Sequence, residues 1–94
     1  MLVRVRLIAS GRVQGVGFRS FACRLGTRLA LRGFAKNLPD GTVEIIAEGN
    51  EGKIAEFSAK ISSMRHPAGI EVSDLEETER SRIGSLSFES FSAA

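Results

Sequence analysis

The 94-residue sequence predicts an α+β fold, with two helices on one face of a mostly antiparallel four- to five-stranded sheet. Three observations carry that expectation. Apolar residues alternate with period two over the first ten positions. They recur at three- and four-residue spacings in two later stretches. Turn chemistry joins two β-branched runs between those stretches.

In the segment Met1 to Ser10, Val3, Val5, Leu7 and Ala9 point one way and Arg4 and Arg6 the other, which is the pattern of a half-buried strand. A glycine-rich loop, GRVQGVGFR from Gly11 to Arg19, follows. Phe18, Phe21, Ala22, Leu25 and Leu29 then form the stripe of an amphipathic helix, with Arg19, Arg24 and Arg28 mostly opposite. Gly33 is expected to stop that helix. Residues 34–38 read as a short strand, Leu38-Pro39-Asp40-Gly41 as a turn, and TVEIIAE over 42–48 as the second strand of a hairpin.

Gly49 and Asn50 are expected to open a second helix, with Asn50 as its N-cap. Ile54, Phe57, Ile61 and Met64 form the apolar stripe, and Pro67 and Gly69 end the helix. His66 reads as a cation suited to the dipole at that helix end. A strand from Ile70 to about Thr78 follows, and LSFESF over 86–91 is a candidate short edge strand with Phe88 and Phe91 partly in the core. The order βαββαβ, with a possible tail strand, is the split βαβ, ferredoxin-like arrangement. That architecture serves many functions and settles none by itself.

The length suits one domain over residues 1–94 with one modest core. No apolar run approaches the roughly 20 residues of a membrane span. Arginines interrupt the first ten residues, so that stretch reads as mature structure and a cytoplasmic location is expected. One cysteine, Cys23, and one histidine exclude an internal disulfide, a multi-thiolate metal site and a paired-histidine zinc motif. Cys23 is expected to pack rather than react.

Charge is divided unevenly. Residues 1–36 carry eight basic side chains and no acidic one, whereas residues 37–94 carry five basic and eleven acidic ones. A basic first half suits an anionic partner, and it equally suits pairing with an acidic face across the fold. Charge alone leaves both readings open.

The loop between first strand and first helix is more specific. Helix N-termini carry unpaired N–H groups and a partial positive charge, so an anion placed there meets donors already aimed at it. Gly11, Gly15 and Gly17 let main-chain N–H groups converge as an anion nest, and Arg19 in the first helical turn can fork onto phosphate oxygens. The plainer reading is a tight connection beside a surface arginine. The run lacks the Gly-Lys-Ser/Thr ending of a P-loop, and a dinucleotide fingerprint would need glycine at Ser20.

GRVQGVGFRSF followed by LRGFAKNLPDGTVEIIAEG resembles the acylphosphatase family. The first block matches through Gly11, Val13, Gln14, Gly15, Val16, Phe18 and Arg19. The second matches through Gly33, Phe34, Asn37, Asp40, Gly41, Val43 and Glu44, then Glu48 and Gly49. The resemblance covers nearly the whole chain and its βαββαβ order. It implies hydrolysis of acyl phosphates, with phosphate held by Gln14, Gly15, Val16, Gly17, Phe18 and Arg19 and the attacking water oriented by Asn37. It implies no metal and no cofactor, a small-molecule substrate, no nucleic-acid or membrane partner, and a monomer.

Three positions depart from the family pattern. Gly26 stands where alanine is common and is expected to cost the helix about 1 kcal/mol. Ala35 replaces a usual valine, and the ending SFESFSAA is irregular. None is expected to touch Arg19 or Asn37. One rival reading is a phosphate-binding module of the same fold that does no chemistry. Another is single-stranded RNA binding, which needs aromatic residues on the central strands. The strands in question offer Val5, Leu7, Ile45 and Ile46 instead.

Overall fold

The computed structural model describes residues 1–65 and 69–94. His66 and Pro67, and the roles expected of them, lie outside the described residues. The described elements are β1 (Leu2–Arg12), α1 (Phe18–Arg28), β2 (Arg32–Asn37), β3 (Val43–Asn50), α2 (Glu51–Ser62), β4 (Glu71–Arg82) and β5 (Phe91–Ala93). The strands form one sheet in the order β4-β1-β3-β2-β5. All described pairings are antiparallel except β2 with β5.

The alternation in β1 does what its period requires. Val3, Val5, Leu7 and Ala9 are buried on the helix-covered face with Val43, Ile45 and Ala47 of β3. Phe18, Ala22 and Leu25 of α1 and Ile54, Phe57 and Ile61 of α2 close the core from above. Helix α1 packs over β2 and β5, and α2 over β3 and β4. Asn50 caps α2 as expected, its side-chain oxygen accepting from the amide of Gly52 at 2.9 Å.

Several boundaries differ from expectation, each for a local reason. Helix α1 ends at Arg28, and Gly33 lies inside β2 rather than at the helix end. The reversal is made by Ala30 at φ +61°. The amide of Leu31 donates to the carbonyl of Gly26 at 2.8 Å and that of Ala30 to Thr27 at 3.0 Å, the bonding pattern of a Schellman cap with alanine in the place glycine usually takes. Helix α2 stops at Ser62, so Met64 is buried just beyond the helix and not on it. Strand β4 runs to Arg82, past Thr78, because it hydrogen-bonds along β1 almost to its start. The last strand is Phe91–Ala93, not 86–91.

That tail explains the glycine at position 26. Phe91 inserts beneath α1, its ring centroid 5.7 Å from that of Phe57. A β-carbon on Gly26 would lie 2.5 Å from a ring carbon of Phe91. The helix therefore gives up propensity at one position to admit an aromatic ring into the core. Phe88 is half-buried on the opposite face, edge-on to Phe34 at 5.8 Å.

The open face of the sheet answers the question left by charge for two of the arginines. Arg4 donates to Glu48 at 2.7 Å and Arg6 to Glu44 at 2.6 Å, so both pair with acids of β3. Glu48 is fully buried beneath the segment that leads to β5. Its carboxylate accepts from the hydroxyl of Ser87 at 2.6 Å, the amide of Ser87 at 2.7 Å and the amide of Phe88 at 3.3 Å. Burial pushes the Glu48 carboxyl up, but the bonds from Ser87, Arg4 and Phe88 together outweigh it and hold the group below its ordinary value of 4.5.

Two expected outcomes follow from the packing. Gly26→Ala should destabilise the protein by about 1–3 kcal/mol despite the better helix former, because the methyl group overpacks against Phe91. Ala30→Gly should stabilise it by about 1 kcal/mol, because glycine removes the cost of positive φ. Urea unfolding of both variants measures the two signs. A third outcome concerns acid. A depressed carboxyl pKa contributes stability above the unfolded value, and that contribution is lost as pH falls through the folded value. Stability should therefore drop as pH falls below 4.5, and Glu48→Gln should be less stable at neutral pH and show a flatter acid limb in melts taken across that range.

Candidate active site

Five residues, Val13 to Gly17, connect β1 to α1. Val13 is buried and pins the near end of the connection in the core. Gly15 has φ +75° and Gly17 has φ +84°, a region other residues enter at a cost of about 1–2 kcal/mol. The space where β-carbons would sit at Gly15 and Gly17 is open. These glycines are thus needed for backbone conformation and not for room. Gly17 is the N-cap of α1, supplies no side-chain cap, and is followed by a first turn without an acidic residue. The contrast with α2 is direct, since α2 has both a capping asparagine and Glu51 in its first turn. The N-terminal N–H groups of α1 remain open to an external anion.

Gly15, Gly17, Phe18 and Arg19 line one small pocket of about 120 Å³ together with Val13, Ser20 and Ala93. Phe18 is itself fully buried, so its ring roots the first turn in the core while its main chain reaches the pocket. The guanidinium of Arg19 donates to the main-chain oxygen of Ala94 at 2.8 Å. A guanidinium carries five donors, so one anchoring bond leaves others for an anion. The amide of Ala94 in turn donates to Ala35 of β2 at 2.8 Å, which ties this end of the tail to the sheet. The tail therefore does touch Arg19, contrary to the expectation that its irregular sequence leaves the key residues alone. The sequence holds no sign of this, because the contact uses a main-chain atom of an alanine.

Two of the expected phosphate-binding residues direct their side chains elsewhere. Val16 packs toward the core and toward Gly69, where a β-carbon would lie 3.6 Å from a Val16 methyl group. The Gln14 carboxamide donates to the main-chain oxygens of Leu38 and Thr42, each at 2.8 Å. Only the main chain of Gln14 and Val16 is available to an anion.

Asn37 ends β2 opposite Val43, and Val43 stands opposite Ala9 of β1. Residues directly opposite share a face, so Asn37 lies on the helix-covered side of the sheet, in line with Ala9 and Val43. Its Oδ1 atom is buried and accepts no hydrogen bond from the described groups. An acceptor so placed can take its partner from a water or a ligand. Asn37 is not among the residues lining the loop pocket; it stands one residue before the Leu38 carbonyl that Gln14 holds.

Cys23 is half-buried on α1. Burial pushes its thiol up against the opposing pull of Arg19 and Arg24, which favours an inert, packed role. No described helix is long and apolar enough to cross a membrane.

The family model described as Acylphosphatase matches residues 5–92. An acylphosphatase of Chlorobaculum tepidum is 50% identical over 58 residues, a stretch covering 62% of this chain and 63% of that protein, just under two thirds of its length. An acylphosphatase of Methanospirillum hungatei is 42% identical over 81 residues, covering 86% of this chain and 88% of that one. The crystal structure of acylphosphatase from Bacillus subtilis superposes with a TM-score of 0.84 at 40% identity, covering 100% of this chain and 99% of that one.

Proposed function

The chain belongs to the acylphosphatase family, and we propose that it hydrolyses the carboxyl–phosphate bond of acyl phosphates by positioning and electrostatics, without a metal. The observation that carries this reading is the uncapped N-terminus of α1, framed by two positive-φ glycines, with Arg19 in the first helical turn. The amides from Gln14 to Phe18 hold the phosphate, and Arg19 balances charge on its equatorial oxygens as the transition state forms.

Asn37 supplies the second function. Its Oδ1 accepts a hydrogen bond from the attacking water and turns a lone pair of the water oxygen toward phosphorus, in line with the leaving group. A new bond forms between water oxygen and phosphorus. The bond from phosphorus to the acyl oxygen breaks, and its electron pair leaves on the carboxylate. The products are the carboxylate and inorganic phosphate, with one proton released. A carboxylate is a good leaving group, so the step needs no strong general acid, and an amide that orients water suffices without acting as a base. The loop, the tail that touches Arg19 and the strand that carries Asn37 all come from one chain, which favours a monomer acting as one domain over residues 1–94. The half-buried cysteine suits a reducing, cytoplasmic setting.

Hydrolysis of benzoyl phosphate in the presence of EDTA tests the reading. The wild-type chain should turn over. Arg19→Ala should lose about 10²–10³-fold in kcat, and Asn37→Ala about 10²-fold, with both variants folded by circular dichroism. A folded wild-type chain that binds phosphate but does not turn over would point instead to a binding module.

A further inference from the structure

The Gln14 side chain bridges two parts of the molecule that are far apart in sequence. It leaves the loop just before Gly15 and places its carboxamide nitrogen 2.8 Å from the oxygens of both Leu38 and Thr42. Those two residues bracket the β2–β3 turn. The amide of Leu38 donates to Thr42 at 2.9 Å and that of Gly41 to Leu38 at 3.1 Å, so the turn is closed by its own bonds. Asp40 stiffens it further, accepting from the amide of Thr42 at 3.0 Å and from its hydroxyl at 2.6 Å. Both acceptors used by Gln14 therefore belong to a braced turn, and Asn37 is the residue next to the first of them.

We propose that Gln14 is a positioning residue for the hydrolysis, its side chain fixing the distance between the loop amides that hold phosphate and the Asn37 carboxamide that orients water. The inference rests on the roles given to the loop and to Asn37 above. The chemistry of the bridge explains why a glutamine is suited to it. Two oxygen acceptors need two donors, which one carboxamide NH₂ group provides at once. Glutamate has the same shape, but its carboxylate would face two carbonyl oxygens with no donor. Asparagine has the donors on a stem one carbon shorter. Methionine fills the space and donates nothing. The main-chain amide of residue 14 remains in the loop whatever the side chain is, so loss of the bridge leaves the phosphate cradle its donors. What changes is where the water stands relative to the phosphorus, and a displacement of about 1 Å there can cost a factor of about a hundred.

The test uses the full chain with benzoyl phosphate as substrate and inorganic phosphate as competitive inhibitor. Gln14→Met should lower kcat by about tenfold to a hundredfold and change the inhibition constant of phosphate by less than about threefold. The decisive arm is the pair of backgrounds. In Asn37→Ala, adding Gln14→Met should lower kcat little further, because the bridge works through Asn37. Gln14→Asn provides the same comparison if the methionine variant fails to fold. The inference is overturned if kcat stays within about twofold of wild type, or if the loss is as large in the Asn37→Ala background. It is also overturned if phosphate affinity falls in proportion to kcat, which would make Gln14 part of the cradle alone. Each of these results requires an active wild-type chain, so they are distinct from failure of the hydrolase reading, in which the wild type itself does not turn over.

Discussion

The site depends on one constraint. The chain leaves β1 at Arg12 and must start α1 at Phe18, with only Val13 to Gly17 between them. Val13 and Phe18 are both buried, so the two ends of the connection are fixed by the core. A path that short between fixed ends needs the left-handed conformations at Gly15 and Gly17. The same conformations leave the first N–H groups of the helix facing outward without a side-chain cap. The proposed anion cradle and the strand-to-helix turn are thus the same piece of backbone, and the packing that stabilises the fold also holds that backbone in shape.

Other elements bring the remaining chemistry to that junction. Asn37 ends β2, and the braced turn that follows it is tied to the loop by Gln14. The tail passes from the buried carboxylate of Glu48, through Phe91 in the gap over Gly26, to the main-chain oxygen that accepts from Arg19. The basic residues of the first half do not act as one group. Arg4 and Arg6 are paired with glutamates on the open face, whereas Arg19 stands in the first turn of α1 and lines the loop pocket. On the open face, Ile46 lies between Arg6 and Phe34, while Val5, Leu7 and Ile45 are buried under the helices. The central strands β1 and β3 carry no aromatic residue.

Strong periodicity made the central strands and both helices legible in the sequence. Val3 to Ala9 and Phe18 to Leu25 each had a long apolar pattern set by burial on one side, and the N-cap at Asn50 had its own side-chain chemistry. The ends were harder. Gly33 resembles a helix stop because glycine commonly is one, but the Schellman cap closes around Ala30, and the local cap bonds hold that alanine at positive φ. Strand β4 is an edge strand with few buried residues, so its charged second half showed no alternation to extend it. Strand β5 buries only Phe91 of its three residues. Gly26 looked like a defect because its partner, Phe91, lies far along the chain. At the candidate site, the motifs in the sequence mark the loop and Asn37 as candidates, while the bridge from Gln14 and the main-chain contact of Ala94 on Arg19 emerge only when distant segments meet.

Phosphate is expected to bind at the β1–α1 junction and nowhere else with comparable strength. Titration of the isotope-labelled chain with inorganic phosphate, followed by amide NMR shifts, tests it most directly. Saturable shifts should concentrate at the amides of residues 14–19 and at the Asn37 side chain, with the Arg19 guanidinium signal moving in step. Shifts that fail to saturate, or that centre on Arg4 and Arg6 of the open face, would overturn it.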